Sequence, residues 1–146
     1  MLYNGLQVDG PWYAQIVGKE DAVRFTLAVQ QTGGKLSGTG RIRLINSSND
    51  FDTSGSLSGE LWEGYIAFSF RPINRRSTAF MSGLFKVTEA GAVLHGYLSI
   101  RDKTAEKVVT VEIALHQGHP PPDEAVAFES ALISIAKAKI SNGKNR

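Results

Sequence analysis

The 146-residue chain has no cysteine, only three histidines, and charges that nearly cancel at a formal +2. The missing cysteine excludes disulfides, a thiolate nucleophile and Cys-based zinc sites together. Of the histidines, His116 and His119 flank Gly118 beside the prolines at 120–122. A surface turn is the plain reading there, since no further ligand completes a metal shell. Near-neutral charge implies neither a polyanion partner nor a membrane surface. No apolar run approaches the roughly 18 residues that span a bilayer. The first five residues lack the charged and apolar regions of a signal peptide. The expectation is a soluble, cytoplasmic protein with no cofactor, no metal and neither nucleic acid nor membrane as partner.

Catalytic signatures are also scarce. Gly33-Gly34 joins two strand-like runs instead of opening a helix, so it does not cradle a phosphate. No serine stands in a nucleophile elbow. His95 and Tyr97 face the same side of one strand, a pair that moves protons only under a covering cleft. Arg41, Arg43, Arg75 and Arg76 form a basic strip, with Tyr13, Tyr65 and Tyr97 as stacking rings, but no nucleic-acid motif accompanies them. The chain reads as non-catalytic.

What is present is a short repeated word: an aliphatic residue, then Ser or His, then Gly. It occurs as Leu36-Ser37-Gly38, Leu57-Ser58-Gly59, Met81-Ser82-Gly83 and Leu94-His95-Gly96. In an extended chain the first and third residues share one face. The aliphatic residue and the glycine therefore point inward and Ser or His outward. Glycine inside a strand marks a bend or a close approach, and four such marks describe a sheet curling around a small interior.

Alternation of period two runs through nearly the whole chain. Trp12, Ala14 and Ile16 share a face, as do Phe25, Leu27 and Val29, then Ile42 and Leu44. A strand from about Phe51 to Leu61 leads into another from about Trp62 to Arg71, the latter pointing Gly64, Ile66, Phe68 and Phe70 inward. Met81, Phe85 and Val87 mark a sixth strand, Leu94, Leu98 and Ile100 a seventh, and Val109, Val111, Ile113 and Leu115 an eighth. The glycine-bearing and polar stretches 46–50, 72–77, 89–91 and 101–104 read as connections. After the prolines the period becomes helical, with Asp123 as N-cap, Phe128, Leu132, Ile135 and Ala136 on one face, and Asn142-Gly143 as the stop. The fold class is all-β: an antiparallel up-and-down barrel of about eight strands with one C-terminal α-helix. One domain spans 1–146, with the barrel at 10–117 and the helix at 123–141.

Gly10-Pro11-Trp12 at the first strand, the meander and the late helix resemble the calycins, the lipocalin and avidin-like barrels; Gln30 to Thr39 is similar to the second avidin-type hairpin. The resemblance implies a barrel with a small-molecule cavity and Trp12 plugging its closed end. By alternation the inward faces carry almost only aliphatic, aromatic and glycine residues, which does not suit a polar ligand such as biotin. The expected function is binding of an apolar or aromatic small molecule by burial of its surface. The candidate site is Trp12, Phe25, Leu57, Phe68, Phe70, Phe85 and Leu98. Two alternatives stand beside it. In one the barrel is filled and the chain is an assembly module, forming a homo-oligomer through Phe128, Leu132 and Ile135. In the other it is a cyclase- or isomerase-type enzyme with polar groups at the mouth. A hollow and a filled barrel fit the sequence equally.

Overall fold

Eight strands follow one another without interruption before a single helix, in a computed structural model that describes residues 6–46, 50–73, 80–88, 92–102 and 106–144. They are β1 (Gly10–Val17), β2 (Ala22–Thr32), β3 (Lys35–Ile45), β4 (Asp50–Trp62), β5 (Tyr65–Pro72), β6 (Met81–Thr88), β7 (Val93–Asp102), β8 (Lys107–Gln117) and α1 (Pro122–Lys144). Each strand pairs antiparallel with its sequence neighbour, and β1 pairs with β8 to close the barrel. The connections expected at 47–49, 74–77, 89–91 and 103–104 lie outside the described residues, as do Arg75, Arg76, the first five residues and the last two.

The registers put the repeated words in phase. Ser37 faces Ser58, Ser58 faces Ser69, Ser69 faces Ser82 and Ser82 faces Ser99 across successive strands. All of these hydroxyls lie on the outside, while Leu36, Leu57, Met81 and Leu94 are buried. The alternation is that of a sheet with one face in the core and one in water.

Two boundaries differ from the sequence reading. Strands β4 and β5 are joined by the two-residue turn Glu63-Gly64, with φ of 51° and 83°. Gly64 is therefore a turn residue and not an inward one. Two consecutive positive φ values match the right-handed twist of a hairpin, and glycine carries one of them without steric cost. At the other boundary, α1 starts at Pro122, a residue suited to the first helical turn because its absent N–H would have no partner there. The helix continues through Asn142-Gly143 to Lys144.

The seam between β1 and β8 is short. Its ladder holds Trp12 against Gln117 and Tyr13 against His116, the Gly118 N–H donates to the Pro11 carbonyl at 2.8 Å beside it, and among the described residues no pairing follows beyond Tyr13. Ile16, an inward residue by phase, is consequently 52% exposed, and Val111 on the facing strand 38%.

Helix α1 lies across the outer face of β1 to β3. Phe128 and Ile135 are fully covered there against Ala22, with Ile45, Ala131 and Leu132 packed around them. Arg24 stacks its guanidinium 4.2 Å from the centroid of the Phe128 ring, and Arg43 lies 5.6 Å from it. Arg24 also donates two hydrogen bonds to Gln15 Oε1, and Gln15 donates to the Glu124 carbonyl. Phe128, Leu132 and Ile135, named above as the contact of a homo-oligomer, thus meet the barrel of their own chain.

Candidate functional site

All seven candidate residues are buried in one cluster inside the barrel. Strand alternation puts them there, and ring geometry decides what space they leave. Phe68 stacks on Phe85 at 5.4 Å and on Phe25 at 6.4 Å, and Phe25 meets Phe70 edge-on at 6.2 Å. These are the offset and T-shaped arrangements that aromatic quadrupoles favour.

The inward glycines make room for these rings. A Cβ at Gly83 would stand 2.5 Å from Phe85 Cε2 and 2.9 Å from Phe68 Cε1. One at Gly40 would stand 3.1 Å from Phe70 Cε2, and one at Gly55 would stand 2.7 Å from Phe70 Cζ. The aromatics occupy the volume that the glycines give up, the packing by which curved sheets are built.

At one end the barrel is shut. Trp12 donates its indole N–H to the Val8 carbonyl at 2.8 Å, and the Val8 N–H donates to Gln31 Oε1 at 2.7 Å. Gln31 Nε2 donates in turn to the Leu6 and Gly33 carbonyls. The segment before β1 is thereby folded over the end, and Val8 is fully buried. The void left among Val8, Trp12, Leu36, Leu57, Phe68 and their neighbours measures about 10 Å³. At the opposite end a recess of about 480 Å³ lies between β5 and β6, with Phe70 and Met81 buried and Arg71 and Phe80 exposed.

Polar groups sit elsewhere. Among the described residues the one buried polar side chain is Thr53. A buried inward-facing carboxylate, Tyr or His, which would favour a cyclase-type enzyme, is not found among those residues. His95 and Tyr97 are exposed on the outer face, where His95 Nε2 lies 2.9 Å from Glu112 Oε1. Tyr13 contacts the His116 ring at 5.7 Å; partial burial and the neighbouring Glu124 carboxylate raise its phenol pKa. Arg41 and Arg43 are turned to structural use. Arg41 forks onto Asp52 at 2.8 and 2.7 Å, and Arg43 pairs with Glu129 at 2.7 Å. Lys139 reaches Asp50 at 2.7 Å. No group of three or more His, Asp or Glu at metal-ligand spacing occurs among the described residues, and no helix among them is long and apolar enough to cross a membrane.

Comparison with protein-family models, with curated proteins and with solved structures yields no match. The class is therefore defined by the architecture alone: a closed, eight-stranded, antiparallel up-and-down barrel with a C-terminal helix.

Sequence reasoning missed Val8 and Gln31, which close the barrel; a Gln at the end of a strand gives no signal of its target. It also missed Gly55, although that glycine is in phase with Leu57. Finally, it missed the outer face of α1, where Val126, Ile133 and Ile140 recur every seven residues and are 66%, 57% and 60% exposed.

Proposed function

We propose that this chain is a non-catalytic assembly module, a filled barrel that serves as a rigid support and acts by associating with further copies of itself. The observation that carries the reading is that the void among the inward residues toward the shut end, from Val8 and Trp12 to Phe68, measures only about 10 Å³. That is at the limit for a single water molecule, whereas small-molecule pockets run to about 300–1,000 Å³. An interior packed in this way gives stability and shape, and function moves to the surface. Sedimentation equilibrium from about 1 to 500 μM tests the reading. A reversible rise in mass with concentration supports it, and a monomer throughout that range overturns it.

A second reading is favoured by the recess of about 480 Å³ beside Phe70, Phe80 and Met81. There an apolar or aromatic small molecule binds at the rim, in keeping with a calycin-like relation, and the deeper candidates Trp12, Phe25, Leu57, Phe68, Phe85 and Leu98 form the wall beneath it. Its test is a thermal-shift screen of fatty acids, terpenoids, aromatic metabolites and cationic amphiphiles, repeated on Phe80→Ser. A shift lost in that variant supports rim binding; no shift from any apolar compound removes it.

A further inference from the structure

We propose that two copies meet helix against helix, antiparallel, about a two-fold axis passing beside Ile133. The inference rests on the reading of the chain as a self-associating module and names its surface and its partner, a second copy of α1. Val126, Ile133 and Ile140 are the large apolar residues exposed on the helix among the described residues, seven residues apart. At about 100° per residue they form a stripe turned roughly 120–180° away from Phe128 and Ile135, the residues that bind α1 to its own barrel. The stripe belongs to neither of the chain's buried clusters. β-Branched residues at every seventh position supply one of the two apolar positions per heptad that a pair of helices buries between them, and Ala136 adds a small residue at the other.

Charge selects the partner and the direction. The first half of α1 carries Asp123, Glu124 and Glu129, and the second half Lys137 and Lys139. Ile133 lies midway between Val126 and Ile140, and also midway between Glu129 and Lys137. A two-fold axis at Ile133 therefore sets Val126 of one copy against Ile140 of the other, and Glu129 against Lys137. Parallel pairing would set acidic half on acidic half and like helix dipoles side by side. Glu129 gives Arg43 its Oε1 at 2.7 Å and is half exposed, so a lysine from across the axis can reach it. Beside the stripe a groove of about 410 Å³, between Ile133 and Ala136 of the helix and Leu44, Ile45 and Asp50 of the barrel, leaves space at the flank of the helix for the partner to settle.

The stripe is roughly 21 Å long at 1.5 Å per residue. A helix pair of that length buries less than the about 1,200–2,000 Å² of a standard stable interface. The dimer is accordingly expected at micromolar concentrations and above.

The absence of cysteine provides a clean test. Three single variants of the full chain, Ile133→Cys, Val126→Cys and Ile140→Cys, are oxidised at about 100 μM and run on non-reducing gels beside wild-type sedimentation. The antiparallel two-fold predicts that Ile133→Cys cross-links to itself. Val126→Cys and Ile140→Cys should each stay monomeric alone and cross-link when mixed. Lys137→Glu should weaken wild-type association about tenfold or more at low salt, with its circular dichroism unchanged. Self-linking of Val126→Cys and Ile140→Cys as strong as that of Ile133→Cys overturns the antiparallel arrangement. A wild type that sediments as a dimer while Ile133→Cys does not link places the interface elsewhere; the assembly reading then stands and this inference fails. A monomer at every concentration with no link removes both.

Discussion

At the scale of single residues the barrel is decided by where a side chain is withheld. Gly83 faces two phenyl rings, whereas a Cβ at Gly59 would run into the backbone carbonyl of Ala67. The two glycines should therefore respond differently to the same change. Gly83→Ala overpacks flexible neighbours and is expected to cost about 1–3 kcal/mol. Phe85→Leu made in the same chain should recover part of that loss, with a coupling above about 0.5 kcal/mol in a double-mutant cycle. Gly59→Ala should gain nothing from the smaller ring, because a carbonyl cannot be trimmed. Urea denaturation of the single and double variants measures both, and equal rescue at the two sites would contradict the steric account. The same scale shows what the sequence reveals. Phase alone places Leu36, Leu57, Met81 and Leu94 inside and Ser37, Ser58 and Ser82 outside, and the structure agrees at each. Whether the rings fill the interior is not contained in phase; it depends on χ angles and strand curvature, which bring Phe68 to 5.4 Å from Phe85.

Asp52 is a residue whose ionisation bears on stability in the acid range. The Arg41 hydrogen bonds, followed by the charges of Arg41 and Arg43, hold its carboxyl below the usual value, against some burial that raises it. A carboxylate with a lowered folded pKa contributes stability above its unfolded value near about 4 and loses it as pH falls through the lowered value. The acid limb of the melting-temperature profile should therefore be shallower in Asp52→Asn. The ion pair is half exposed, so the effect should also shrink in high salt. An acid limb of unchanged slope would mean that the pair contributes nothing.

At the scale of elements, two features separate what pattern can say from what register decides. The helical period from Asp123 onward, and its docking residues, were legible because the apolar spacing is local. Its seat was not: Arg24 and Arg43 reach the Phe128 ring only because β2 and β3 pair in the register that sets them side by side. Phe128→Ala should cost about 3–5 kcal/mol, the range for a fully buried phenyl. Leu132→Ala, at a half-buried position, should cost less than Ile135→Ala. The seam is the second feature. Ile16 and Val111 have the inward phase, yet the sequence gives no hint that β1 and β8 part after Tyr13 and His116. Unpaired edges exchange their amides more readily. In β1 beyond Tyr13 and in β8 before His116, every second amide, the one aimed across the seam, should exchange faster than those of central β3. Uniform protection across β1, β3 and β8 would show that the ladder continues in solution.

At the scale of the whole molecule, α1 has two faces with separable consequences. The inner face, Phe128 and Ile135, joins the helix to its barrel, and its loss should lower the melting temperature at any protein concentration. The outer face, Val126, Ile133 and Ile140, is exposed and belongs to neither buried cluster, so its loss should leave the monomer nearly as stable as before. Association stabilises the folded state by mass action: a partner at about a hundred times its dissociation constant adds roughly 2.7 kcal/mol. For a chain of this size each kcal/mol moves the melting temperature by about 2–4 °C. The wild type should consequently melt several degrees higher at the top of a hundredfold concentration series than at the bottom. Ile133→Glu should flatten that series at its lower limit, since the two-fold would bring two carboxylates together. Phe128→Ala should instead move the whole series down, and cutting the chain after His119 should both lower it and flatten it. Differential scanning calorimetry of the four proteins measures these slopes and intercepts. A wild-type series without slope would oppose association. An Ile133→Glu series that is lowered rather than flattened would show that the outer face serves the fold and not a second copy.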